Sequence, residues 1–210
     1  MRWGFRTPAL RIGDRAQRQY TSNRGTAPQG KCRTCHSAKR TQGNIPERAR
    51  NLKPMNTERR KIKLSFPATG ESVVAEMLDD EAPQVCAHVW SILPIEHRMY
   101  HGMYSGAEVF ALLDQAKELP QENICQLPLP GEVLWFFDGS TSVANSKQPV
   151  SEIVVVYNRG VTLRAPEGVP TYCSLFARVA GDWKYDWPEF REACKRVRTE
   201  ARAVMRIERV

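Results

Sequence analysis

No run of apolar residues in this 210-residue chain approaches the roughly 18 that a membrane-spanning helix needs. The longest apolar stretches, Val133–Phe137 and Ile153–Tyr157, are strand length, so a membrane partner is not expected. The N-terminus lacks the continuous apolar core of a secretory signal. Six cysteines without an export signal read as reduced thiols, and the expected compartment is the cytoplasm. Strand and helix patterns do not alternate, which argues against a doubly wound sheet. No internal repeat is present, and Gly-x-Ser-x-Gly is absent, so a nucleophile elbow has no support. Acidic residues are scarce at one end. Residues 1–54 hold Asp14 and Glu47 against 13 Lys and Arg, net 13 − 2 = +11. The remaining 31 − 13 = 18 basic and 23 − 2 = 21 acidic residues give −3. The basic balance of the whole chain belongs to its N-terminal segment.

That segment is rich in Arg, Gln, Thr, Ser, Gly and Pro and cannot bury enough apolar area to offset its ordering entropy. A disordered basic extension over 1–57 is expected, ahead of a folded domain over 58–210. Composition favours upstream sequence translated from a start codon placed too early, with Met55 as the true start. Cys32-Arg33-Thr34-Cys35-His36 has the spacing of a c-type haem attachment site. The attachment chemistry normally needs export and a compact surrounding domain, and neither is visible. Zinc needs about four ligands where this stretch offers three. No cofactor and no metal are expected. Thirteen basic residues would attract phosphate, but Trp3, Phe5 and Tyr20 are too few to read bases, so nucleic acid is not the expected partner.

From Lys61 the pattern becomes that of a folded domain. Lys61–Phe66 alternates polar and apolar, Pro67–Gly70 turns, and Ser72–Leu78 completes a hairpin. Asp79-Asp80-Glu81-Ala82-Pro83 opens a helix with acids placed to cap it. Val85, Val89 and Ile92, with Cys86 and Trp90, form its apolar face. His97–Met103, Ala107–Leu113, Glu132–Phe137, Glu152–Tyr157 and Thr171–Val179 read as further strands. Pro188 opens a last helix with Phe190, Ala193, Cys194, Val197 and Ala201 on one face. Seven or eight strands with two helices and short turns predict a mainly β protein, a closed antiparallel barrel capped by helices.

Val73–Pro83 resembles the strand-to-helix entry of the cyclophilin-like superfamily. The order Leu93-Pro94, His101, Ser105-Gly106, Pro130-Gly131-Glu132-Val133, Glu152-Ile153, Tyr157 and Phe176-Ala177-Arg178-Val179 is similar to a bacterial family of small cyclophilin-like proteins with no assigned function. The resemblance covers roughly residues 60–210, including the ending Arg206–Arg209. It implies a cyclophilin-like barrel and not prolyl isomerisation, because Pro94–His101 departs from the isomerases' Phe-His-Arg-type run.

Polar chemistry concentrates between Glu96 and Glu108. On a strand, His97, Met99, His101 and Met103 would share one face. His97 and His101 fit acid–base work near neutral pH, metal ligation with Glu108, or an ordinary structural role. Ser105 fits a turn hydroxyl better than a nucleophile. Glu132 and Glu152 begin apolar strands and could line a pocket mouth, though they read better as solvated strand ends. Arg178 lies in phase with Tyr172, Ser174 and Phe176, and an inward arginine would suit a carboxylate. The expected function is a small-molecule enzyme acting by acid–base chemistry on a carboxylate- or amide-containing metabolite. His101 and Glu108 are its catalytic pair, and Tyr157, Arg178, His97 and Ser105 bind substrate. The alternative is a non-catalytic ligand-binding or accessory protein with the same pocket. A homo-oligomer stays open.

Overall fold

Alternation with a period of two decides which way each strand of this domain faces. The computed structural model describes residues 58–140, 148–165, 168–200 and 203–210. The basic extension, with its Cys32-Cys35-His36 motif and Met55, lies outside the described residues, as does Ala201. The elements are β1 (Lys61–Ser65), β2 (Ser72–Met77), α1 (Pro83–Ile92), β3 (Ile95–His101), β4 (Glu108–Leu112), β5 (Ile124–Cys125), β6 (Glu132–Asp138), β7 (Val150–Val156), β8 (Cys173–Val179), α2 (Pro188–Arg196) and β9 (Val204–Arg209). The expected hairpin is β1–β2, antiparallel from Lys61 opposite Glu76 to Ser65 opposite Ser72.

Every pairing is antiparallel, and the order β2-β1-β9-β3-β4-β7-β6-β8 closes on itself through β2–β8. The fold is therefore the predicted mainly β architecture, an eight-stranded closed antiparallel barrel with two helices. Closure is completed by β9, which runs between β1 and β3. Its buried Met205 and Ile207 alternate with Arg206 and Glu208, a half-buried strand pattern for which the sequence reading assigned no strand. The two-residue β5 pairs with the start of β8 outside the barrel wall.

Eight strands leave a lumen that side chains fill. Ile62, Leu64, Ala75, Val109, Val133, Ile153, Phe176 and Ile207 belong to one continuous buried cluster. Val85, Cys86 and Val89 of α1 and Phe190, Ala193 and Cys194 of α2 join the same cluster. A smaller cluster covers the outer face of β6–β8, where Leu134, Phe136, Val154, Val156 and Leu175 meet Val161 and Leu163 of the β7–β8 connection.

Two local expectations are corrected. Ile92, expected on the buried face of α1, is 37% exposed. The acids before α1 do not cap it: Asp79 pairs with Arg60, and Glu81 lies 3.5 Å from Arg59. The cap comes from far along the chain. One Glu122 oxygen accepts hydrogen bonds from the backbone N–H groups of Gln84 (2.9 Å) and Val85 (3.0 Å), a carboxylate at the positive end of the helix. Glu122→Ala is expected to lower stability by about 1 kcal/mol, and Glu81→Ala by less than about 0.5 kcal/mol, in urea unfolding monitored by circular dichroism.

Candidate functional site

A filled lumen puts the best candidate cavity outside the wall. β3 ends at His101, and the chain turns through residues 102–107 into β4. The Gly102 N–H donates to the Glu108 carbonyl (3.0 Å), and the Glu108 N–H to that of Gly106 (3.0 Å). On β4, Val109 and Ala111 enter the barrel core, so Glu108 and Phe110 face outward. The β4–β7 register sets Phe110 opposite Val154, with Glu108 opposite Val156 and Glu152 opposite Leu112. The connection after β7 arches over this face. The Thr162 N–H donates to the Ser105 carbonyl (2.9 Å), and Arg164 Nε to the Tyr104 carbonyl (2.7 Å). Beneath it lies a cavity of about 420 Å³, walled by residues that include Phe110, Phe136, Val154 and Leu163 and bordered by His101, Arg164 and Cys173. Its lining carries two carboxyl groups, Glu108 and Glu152.

Glu108 is nine-tenths buried. Its Oε1 accepts the Ser105 hydroxyl, and its Oε2 is buried with no hydrogen-bond partner. Burial raises the pKa of Glu108, and the Ser105 hydrogen bond partly opposes this. Glu152 is pushed up to about 8, first by burial, then by the negative charges of Glu108 and Asp138. The Cys173 thiol is held well above its ordinary value by burial, with Glu108 and Glu152 adding to the effect, so it is not a thiolate at neutral pH. Arg164 is the cation at the exposed rim. Gly102 is required here by close approach. A Cβ on it would come within 2.7 Å of both Cγ and Oε1 of Glu108 and 3.0 Å of the Ser105 hydroxyl.

The expected site residues divide between this cavity and other places. His101, Ser105 and Glu108 line it. Tyr157, buried in the barrel cluster, lies 2.8 Å from His101 Nε2 through its hydroxyl. His101 Nδ1 is 2.7 Å from the Gly102 carbonyl. That carbonyl can only accept, so Nδ1 carries a proton, and in the neutral ring Nε2 accepts from Tyr157. Both ring nitrogens are thus already engaged. His97 lies elsewhere, 3.9 Å from Asp114, beside a separate cavity lined by His88 and Lys117. Among the described residues, no group of three His, Cys, Asp or Glu stands close enough to hold a metal ion.

Arg178 does not share a hollow with His101. Its side chain is 51% exposed, and its Nε lies 3.1 Å from Glu132 Oε1. The reason is a bulge. Val133 opposes Ala177 while Leu134 opposes Leu175, which leaves Phe176 as an extra residue on β8. Phe176 and Ala177 both enter the core, the alternation reverses, and Arg178 leaves the phase of Phe176. Glu132 is buried, its other oxygen accepting the Leu129 N–H (2.8 Å). Glu152, expected as a solvated strand end in preference to a pocket-mouth residue, lines the outer cavity. The available signal was a lone carboxylate beginning the most apolar strand of the chain.

Residues 64–208 match the family described as a protein of unknown function (DUF3830). The chain belongs to this family. No curated protein matches it significantly. Among solved structures, McbB in complex with tryptophan superposes with a TM-score of 0.51 at 16% identity, covering 70% of this chain and 44% of that one. The chain thus spans less than half of McbB, and the likeness concerns the fold alone. The hypothetical protein AF2241 from Archaeoglobus fulgidus superposes at 0.46 with 14% identity, covering 74% of this chain and 100% of that one.

A carboxyl whose pKa is raised on folding binds its proton more tightly in the folded than in the unfolded state. Glu152 therefore makes folding less favourable as pH rises from its ordinary 4.5 through about 8. Between pH 5 and pH 9 the wild type should lose on the order of 2–4 kcal/mol more stability than Glu152→Gln, measured by urea unfolding at the two pH values.

Proposed function

We propose that this DUF3830 protein is a small-molecule enzyme that transfers protons within the outer cavity, Glu152 acting as acid and Glu108 as base. The observation that carries the reading is that two carboxyls, the buried Glu108 and the partly buried Glu152, line one cavity. Burial raises the proton affinity of both carboxyls, neighbouring charges adding to it at Glu152 and the Ser105 hydrogen bond opposing it at Glu108. Unequal surroundings of this kind are the usual basis of an acid–base assignment. Such a pair costs stability in the free protein, and turnover would be its use. Glu152 holds its proton at neutral pH. Glu108 is the more easily ionised partner, because Ser105 stabilises its carboxylate. The Phe110–Val154 pair lies between them in the register, so acid and base would address a ligand from two ends.

Of the residues expected from sequence, Glu108 keeps its catalytic role. His101, closed into its bonds with Tyr157 and Gly102, serves as a positioning residue at the rim. Ser105 fixes the Glu108 carboxyl. A metabolite bearing a carboxylate or amide would meet Arg164 at the rim instead of Arg178. The barrel is read as cyclophilin-like, with 58–210 as one domain behind the 1–57 extension. McbB, of similar fold, is solved with tryptophan, which agrees with a small molecule as ligand.

The test is a thermal-shift screen of the full chain against a metabolite panel, with every hit assayed for turnover. On the substrate found, Glu108→Gln and Glu152→Gln should each lower kcat about 10²-fold or more, and Arg178→Ala should stay within about threefold. The wild-type rate should fall as pH rises through about 8, where Glu152 loses its proton. Binding without turnover would favour the accessory reading instead.

A further inference from the structure

Two carboxyls and one guanidinium line the cavity. Glu108 and Glu152 line it, Asp138 acts on Glu152 from β6, and Cys173 on β8 adds a neutral thiol. The opposing cation, Arg164, stands at the exposed rim with its Nε already given to the Tyr104 carbonyl. Glu108 is nine-tenths buried, lines the cavity, and leaves Oε2 without a hydrogen-bond partner. A buried acceptor of this kind is costly until a donor reaches it. Apolar and aromatic side chains make up much of the remaining lining, beside the polar His101 and Thr171. Phe110 stacks on Tyr100 with ring centroids 5.7 Å apart, and Phe136 and Val154 continue the surface.

We infer that the ligand of this cavity carries a protonated amine that pairs with the Glu108 carboxylate, on a flat apolar body lying over Phe110 and Val154. The inference rests on the cavity proposed above as the site and adds the chemical class of what fills it. An ammonium entering the cavity supplies that donor, as a charge-assisted hydrogen bond, once the Glu108 carboxyl turns toward it, Oε2 having almost no accessible surface in this conformation. The aromatic faces favour a cation beside them. A divalent metal is the poorer fit. Calcium and magnesium take six or more oxygen ligands and zinc about four, whereas this wall is mostly hydrocarbon.

Calorimetric titration of the full chain at pH 7 with phenethylamine, 2-phenylethanol and 3-phenylpropionate tests it. Phenethylamine should bind about tenfold or more tightly than either analogue, since a charged hydrogen bond replaces a neutral or repulsive contact. Glu108→Gln should remove that preference while leaving 2-phenylethanol unchanged, and Glu152→Gln should keep it. Equal binding of amine and alcohol, survival of the preference in Glu108→Gln, or stabilisation by Zn²⁺ or Mg²⁺ without any by the amine would overturn the inference. The wild-type series decides alone if Glu108→Gln fails to fold. Amine preference without turnover would leave the inference standing and remove the catalytic reading. Turnover of an amine-free metabolite with no amine preference would do the reverse.

Discussion

Closure of the sheet through β2 and β8 is the constraint from which the rest follows. An eight-stranded barrel has no free edge in its wall and a lumen only as wide as the side chains that fill it. In this protein Phe176, Ile62, Leu64 and their neighbours occupy that space fully. A cavity of useful size is then formed against the outer wall. The β7–β8 connection provides it by covering the outward side chains of β4, β6 and β7. Alternation along β4 and β7 delivers Glu108 and Glu152 to the same covered face.

Placing carboxyls on a covered, apolar face has electrostatic consequences that a solvated surface would not impose. Burial disfavours the charged form of each group, and each charge penalises the other. The molecule answers the first penalty for Glu108 with the Ser105 hydroxyl and with the space left by Gly102. Among the described residues no hydrogen-bonded partner serves Glu152, which retains its proton near neutrality. The barrel supplies rigidity, the turn at residues 102–107 positions Glu108, and the arching connection supplies the low-polarity cover. In this account, a proton donor and a proton acceptor stand ready at the two ends of one apolar floor.

Much of the barrel was legible because period-two alternation is a local property. Lys61–Ser65 and Ser72–Met77 could be paired from their pattern and the intervening Pro-Gly turn alone. The unread parts are those set by tertiary contacts. A two-residue strand such as β5 has no periodicity to detect. The cap on α1 comes from Glu122, about forty residues from the helix, while nearer acids found arginines. The bulge at Phe176 reversed the phase of β8 and moved Arg178 outward. A bulge in an otherwise apolar strand leaves no mark in the residue pattern. Glu108 was legible as a polar residue within a dense cluster. Glu152 looked like a solvated strand end, because the connection that partly covers it folds back after β7 and leaves no mark in the strand's own pattern. Membership of DUF3830 covers residues 64–208 and names no function, so the candidate site had to be found from the geometry.

The central claim is that the covered outer face, and not the barrel lumen, holds a carboxyl group protonated at neutral pH. Carbon-13 NMR of the full chain with labelled glutamate side-chain carboxyls, titrated from pH 4 to pH 10, addresses it directly. The account requires one carboxyl resonance to titrate near pH 8 and that resonance to disappear in Glu152→Gln. A titration in which every glutamate is ionised by about pH 6, as solvated carboxyls are, would contradict it.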